Sequence, residues 1–404
     1  MIRYHAEWLL PVAQPPIRRG WIDVERGRII GVGRGAPSAE SVDLGRVALL
    51  PGLVNAHTHL ELSYLHGRIP AGTEFVDWIS AVVAARRSQP DARAPMILDA
   101  QRDAIAQAVA TGTAVVGDIS NTLVSYTAIA DSDLAGVVFQ ELIRFNAPHP
   151  GAVVADAQRQ LEALTPAHDV RVSLAAHAPY SVAPSVFRAI RAATMARGSA
   201  PLSVHLSESR AEVEFIDRGA GRWRRFLDDV GAWDPAWTAP RSTPVQYLDD
   251  LGFLQPETLV VHGVQMTGVD LATLKARRCT LVTCPRSNAA TGAGTPPIEE
   301  FYHSGVRVAV GTDSLASTAD LNMFAELAAM RAIAPMVAAS RLLESATRHG
   351  ADALGFGADF GTIEPGKRAR LIAVAIPPAV TDVEEYLVGG VQADAIKWLP
   401  DEHS

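Results

Sequence analysis

The chain has 404 residues, 48% of them hydrophobic and 20% charged, with a formal net charge of −8 and no basic cluster. This balance describes a globular chain and argues against nucleic acid or a membrane surface as partner. Two cysteines, Cys279 and Cys284, are too few for a disulfide framework, and no charged leader or membrane-spanning apolar run occurs, so a cytoplasmic protein is expected.

In chain order, the first 50 residues form a turn-rich β segment typified by ERGRIIGVGRG. Short apolar runs then alternate with stretches of helical spacing such as 96–110 and 183–196, the pattern of parallel βα units. Eight runs can be counted: ALLPGLVNAH ending at His57, TAVVGD at Asp118, AGVVFQE at Glu141, VRVSLAAH at His177, PLSVHLSE around His205, TLVVHG at His262, TLVTCPRSN near Asn288 and VRVAVGTD at Asp313. Eight such units predict a closed (β/α)8 TIM barrel over residues 51–355, with its chemistry at the C-terminal ends of the strands. A second β segment, GTIEPGKRARLIAVAIPP, opens the stretch 356–404 and is expected to pair with residues 1–50 in a small β-sandwich. Long inserts at roughly 63–95 and 209–250 exceed ordinary βα connections and are expected to shape a pocket over the barrel mouth.

His57 and His59 are two residues apart at a strand end, so both imidazoles can point to one side. With His205 and Asp313 they make three imidazoles and a carboxylate, a set that suits one divalent metal, zinc or else iron, with a position open for water. Such a cation lowers the pKa of its water to about 7 and supplies a hydroxide nucleophile at neutral pH. The only lysines are Lys275, Lys367 and Lys397, so no carboxylated lysine is available on a middle strand to bridge two ions; Glu141 is the alternative bridge. Glu208, three residues after His205, can deliver a proton to a substrate ring nitrogen. His262 can hydrogen-bond the hydroxide or the tetrahedral oxygen, and Asp313 can pass the water's proton to departing ammonia. His177 has three readings, a further ligand, a packed barrel-mouth histidine or a hydrogen-bond donor to substrate, and the last is preferred.

The ordered motifs NAHTHLELS, AHAPYS, HLSES, VHG, CPRSN and GTDS resemble the amidohydrolase superfamily from about residue 45 to about 375. Within it they resemble the deaminase and chlorohydrolase branch, which includes adenosylhomocysteine, methylthioadenosine and guanine deaminases. The resemblance implies metal binding by His57, His59, His205 and Asp313, proton transfer by Glu208, a hydroxide contact by His262 and a purine contact by His177. HTHLELS with EFVDW, residues 74–78, is most similar to aminodeoxyfutalosine deaminases of menaquinone biosynthesis and implicates Trp78 in substrate binding. The expected partner is therefore a small nucleoside, with homo-oligomerisation left open. Adenosylhomocysteine deaminases carry a ribose-binding glutamate some nine residues beyond the matching tryptophan, whereas ISAVVAARR after Trp78 has no acid. Arg144, just beyond the third strand, is a candidate partner for a substrate carboxylate or a surface arginine.

Overall fold

The computed structural model describes residues 1–72, 74–196 and 200–400. Five strands come first: β1 (Ile2–Leu9), β2 (Ile17–Glu25), β3 (Arg28–Arg34), β4 (Val42–Asp43) and β5 (Val47–Pro51). The barrel strands follow as β6 (Leu53–Thr58), β7 (Thr113–Ser120), β8 (Ala135–Leu142), β9 (Val170–Ala176), β10 (Leu202–Leu206), β11 (Thr258–His262), β12 (Thr280–Thr283) and β13 (Arg307–Val310). The last two are β14 (Leu371–Ala375) and β15 (Ile396–Trp398).

Strands β6 to β13 form one parallel sheet in sequence order, with helices between them. Their residues are buried almost throughout, because helices cover one face and barrel packing the other; this is why they read as continuous apolar runs. The sheet closes where β6 meets the chain beyond β13, through a parallel bridge between Thr58 and Asp313. Asp313 N donates to His57 O (3.0 Å), Thr58 Oγ1 to Asp313 O (2.9 Å) and Asn55 Nδ2 to Thr312 Oγ1 (2.8 Å). Gly311 is required at this seam, since a Cβ there would lie 2.6 Å from His57 O.

Both chain ends build a separate mixed sheet in the order β15-β14-β5-β1-β2-β3, with β4 paired to β1. Leu371 to Ala375 run antiparallel to Pro51 to Val47, so the returning C-terminal segment is zipped to the strand that feeds the barrel. Gly52 alone separates β5 from β6, and a side chain there would strike Ala114 at 2.6 Å. Residues 401–404, the end of the expected second sandwich segment, lie outside the described residues.

The seventh barrel strand is shorter than expected. It ends at Thr283, and CPRSN instead begins a helix, Pro285–Ala290, because proline's fixed φ and missing N–H suit a helix's first turn. Both inserts are helical rather than irregular. The first holds the 3-10 turn Leu60–Leu65 and the helix Phe75–Ser88; the second holds the helices Arg210–Arg218, Arg222–Asp229 and Pro244–Asp250. Phe75 and Trp223 meet edge to face across the two inserts, and Arg222 pairs with both Glu74 and Asp77. No helix among the described residues is long and apolar enough to cross a membrane.

Candidate metal centre and its cavity

The barrel seam brings His57, His59 and Asp313 together. His57 Nε2 and His59 Nε2 lie 3.2 Å apart, and Asp313 Oδ1 lies 3.9 Å and 3.5 Å from them respectively. Donors held about 2.1 Å from a common ion in a tetrahedron are separated by roughly 3.4 Å, so these spacings fit the edges of a coordination shell. The third imidazole, His205, is the penultimate residue of β10, with its ring centroid 5.0 Å from that of His57 and 5.4 Å from that of His59. Potential ligand atoms of His57, His59 and Asp313 lie within 4.8 Å of one another, as do those of His57, His205 and His262 and those of Glu141, His177 and His205.

The surrounding residues leave the right atoms free. Ser287 Oγ donates to Asp313 Oδ2 (2.6 Å), which turns Oδ1 toward the histidines. His205 Nδ1 lies 2.9 Å from His177 O; donation to that carbonyl fixes the tautomer and leaves Nε2 with its lone pair. Burial holds His57, His59 and His262 well below the usual imidazole pKa and lowers His205 and His177 to about 4, with neighbouring histidines and, for His177, Arg86 contributing. Buried imidazoles that stay neutral are what a divalent cation requires.

Glu208 follows β10 on a loop whose preceding residue, Ser207, has φ 53°. Glu212 holds this loop: its carboxylate accepts Ser207 N and Glu208 N, each at 2.8 Å, and it is itself fully buried in the first turn of the helix Arg210–Arg218. The Glu208 carboxyl lies 3.4 Å from His262 Nε2, and burial, aided by the Asp313 charge, raises its pKa well above the ordinary carboxylate range. Asn288 Nδ2 lies 3.0 Å from His262 Nδ1; an amide donor there makes Nδ1 the acceptor and puts the ring proton on Nε2, toward Glu208. His262, the last residue of β11, and Asp313, three residues past β13, adopt the left-handed backbone region at φ 77° and 60°, a strained conformation for residues other than glycine.

The cavity above this cluster is lined by His59, His177, His205, Glu208, His262 and Asp313 at one end and by Leu62, Phe75, Trp78, Val82, Tyr180 and Trp223 along its walls. Trp78, on the helix Phe75–Ser88, is buried in that wall. His177 is half-buried and its Nδ1 is 2.5 Å from Ser181 Oγ. Arg144 does not line this cavity. It is exposed in a neighbouring cleft with Arg86, Arg87 and Asp156, and the two spaces share Val83, Arg86, Asn121, Glu141 and Ile143.

Sequence reasoning did not single out Glu212, Ser287 or Arg86, and it named Asn288 only as the end of the seventh run, with no role. Glu212 had a signal, a second acid one helical turn after Glu208 and ahead of an apolar helix face. Asn288 and Ser287 were hidden by reading CPRSN as strand. Arg86 is placed by an ion pair to Glu61 (3.0 Å) and a bond to Asn121 Oδ1 (2.6 Å), contacts between segments far apart in sequence.

Known proteins share both the sequence pattern and the shape. The model of the amidohydrolase family matches residues 48–397. An aminodeoxyfutalosine deaminase of a Nitratiruptor species is 31% identical over 344 residues, covering 83% of this chain and 81% of the relative. A 5-methylthioadenosine/S-adenosylhomocysteine deaminase of Moorella thermoacetica is 29% identical over 402 residues, covering 94% and 88%. The crystal structure of Helicobacter pylori aminofutalosine deaminase in complex with methylthio-coformycin superposes with a TM-score of 0.83 at 25% identity, covering 96% of this chain and 95% of that one.

Proposed function

The chain belongs to the amidohydrolase family and is a hydrolase of C–N bonds, and from that premise we propose that it deaminates an adenine-type nucleoside, 6-amino-6-deoxyfutalosine in particular, to futalosine and ammonia. The observation that carries this reading is the buried Glu208 carboxyl beside His262, facing the imidazole and carboxylate cluster. Burial raises the pKa of this carboxyl and so favours its protonated form, which can give a proton to a ring nitrogen and make the adjacent carbon electrophilic.

Zinc or ferrous iron held by His57, His59, His205 and Asp313 would polarise the attacking water. His262 donates its Nε2 proton in a hydrogen bond to the oxygen that adds to C6. Asp313 takes the proton lost by that water and passes it to the amine. The new C6–O bond forms, the C6–N bond breaks and ammonia leaves, while the C6 hydroxyl returns its remaining proton to Glu208 as the carbonyl forms. Trp78, Tyr180, Phe75 and Trp223 enclose the reacting ring in apolar walls, which exclude bulk water and favour a flat heterocycle. His177 contributes a ring nitrogen as donor to the purine. The exposed arginines of the neighbouring cleft, Arg87 and Arg144, suit a substrate whose 5′ substituent is anionic, as a carboxyphenyl ketone is.

Similarity to methylthioadenosine and adenosylhomocysteine deaminases supports a second reading, in which the 5′ substituent is a thioether. Ammonia release measured across aminodeoxyfutalosine, adenosylhomocysteine, methylthioadenosine, adenosine and guanine separates the two. The highest kcat/KM is expected for aminodeoxyfutalosine; no turnover of any purine would overturn the deaminase reading.

A further inference from the structure

A 5′-substituted nucleoside has base, sugar and substituent in a row, and the space above the barrel has an order too. The imidazoles, Glu208 and Asp313 define the reacting end, and the arginine-lined cleft lies beyond a shared wall. Glu141 is part of that wall. It is the penultimate residue of β8, is 6% exposed, and its Oε2 accepts a hydrogen bond from Asn121 Nδ2 at 2.8 Å. Its Oε1 is buried and has no hydrogen-bond partner. A buried carboxylate oxygen without a donor is costly, and in a cavity wall it is a place where a ligand's donor belongs.

The helix facing this wall offers no acid to a sugar. It presents Arg86, already committed to Glu61 and Asn121, while Arg87 is exposed. Among the described residues lining the cavity, the acids are Glu141, Glu208 and Asp313, and the last two belong to the reacting end. Glu141 also lies near ring nitrogens of His177 and His205, with Oε1 3.6 Å from His205 Nδ1. That nitrogen, however, donates to His177 O at 2.9 Å and has no lone pair for a second cation.

We propose that Glu141 Oε1 accepts hydrogen bonds from the sugar hydroxyls of the substrate nucleoside, which makes Glu141 the residue that selects ribose. This rests on the deaminase reading of the same site. One carboxylate oxygen has two lone pairs, enough for a vicinal diol.

The test compares adenosine with 2′,3′-dideoxyadenosine on the wild type, Glu141→Ala and Glu141→Gln, by kcat/KM for ammonia release and by equilibrium binding. A hydroxyl bonded to a charged acceptor is worth about 10- to 100-fold, so the wild type should prefer adenosine by about that factor. Glu141→Ala should bring the preference within about threefold, and Glu141→Gln should leave an intermediate ratio. A wild type without preference, or a Glu141→Ala variant that keeps it, overturns the assignment. So does a metal content of two equivalents that falls to one in Glu141→Ala. If neither compound is turned over, the binding ratios alone decide the role of Glu141, and the deaminase reading stands or falls separately on the five-compound ammonia panel.

Discussion

The two ends of the cavity are built differently. At the reacting end, His57, His205 and His262 sit on or at the ends of barrel strands, and Asp313 is tied to β6 by the seam bonds. Polar partners fix four of these groups: Ser287 for Asp313, His177 O for His205, Asn288 for His262 and Glu212 for the Glu208 loop. At the far end, the walls come from helices inserted after β6 and β10, held to each other by the Phe75–Trp223 contact and by the Arg222 ion pairs. On the proposed reading, reaction chemistry lies on the rigid scaffold, and the apolar walls that shape substrate choice lie largely on inserted segments, with Glu141 on β8 as the scaffold's own contribution.

Substitutions should respect this division, most severely at the reacting end. His57→Ala removes a donor from the seam cluster and should lower kcat by at least about 10^4-fold with loss of bound metal, read by steady-state assay and metal analysis. Glu208→Gln keeps the shape but not the proton, and should lower kcat by about 10^2- to 10^4-fold while metal content is unchanged. Retained activity in that variant would favour chemistry that needs no ring protonation. Glu212→Gln turns one of two acceptors toward a backbone N–H as a donor, so kcat should fall by about 10- to 100-fold with metal retained.

Protons give a test of the buried histidines. His177 and His205 titrate near 4 in the folded chain against an unfolded value of 6.5. Between those values the unfolded chain binds protons that the folded one cannot, so stability is lost as pH falls from 6.5 toward 4. Buried carboxyls raised to about 6 to 8 act in the opposite sense over the same window, so the direct measure is NMR titration of the two rings in the chelated protein: midpoints near 4 are expected, and midpoints near 6.5 would contradict their burial. The smallest effect is expected at the far end. Arg222→Ala removes partly exposed ion pairs between the inserts, worth about 0.2–1 kcal/mol, and should change kcat/KM by no more than about fivefold.

The same division decides how much could be read from the residues alone. The strand-end histidines are visible because apolar runs that stop at a polar residue repeat eight times, and because positions i and i+2 share a face. Asp313 stands three residues past β13, yet it was still legible because the VRVAVGTD run points at it. The helical nature of the inserts, and the partners Arg86, Glu61 and Asn121, were not legible. They depend on contacts between segments that no local period connects. CPRSN was misread for a related reason: a short apolar run gives no sign of where extended backbone gives way to a helix, and Pro285 was the only local marker.

Metal content of the purified protein, measured beside Asp313→Ala, bears most directly on the whole account. One equivalent of zinc or iron per chain, lost in the variant, is the expected result. Two equivalents, none, or a content untouched by removing Asp313 would contradict a single cation held by three imidazoles and that aspartate.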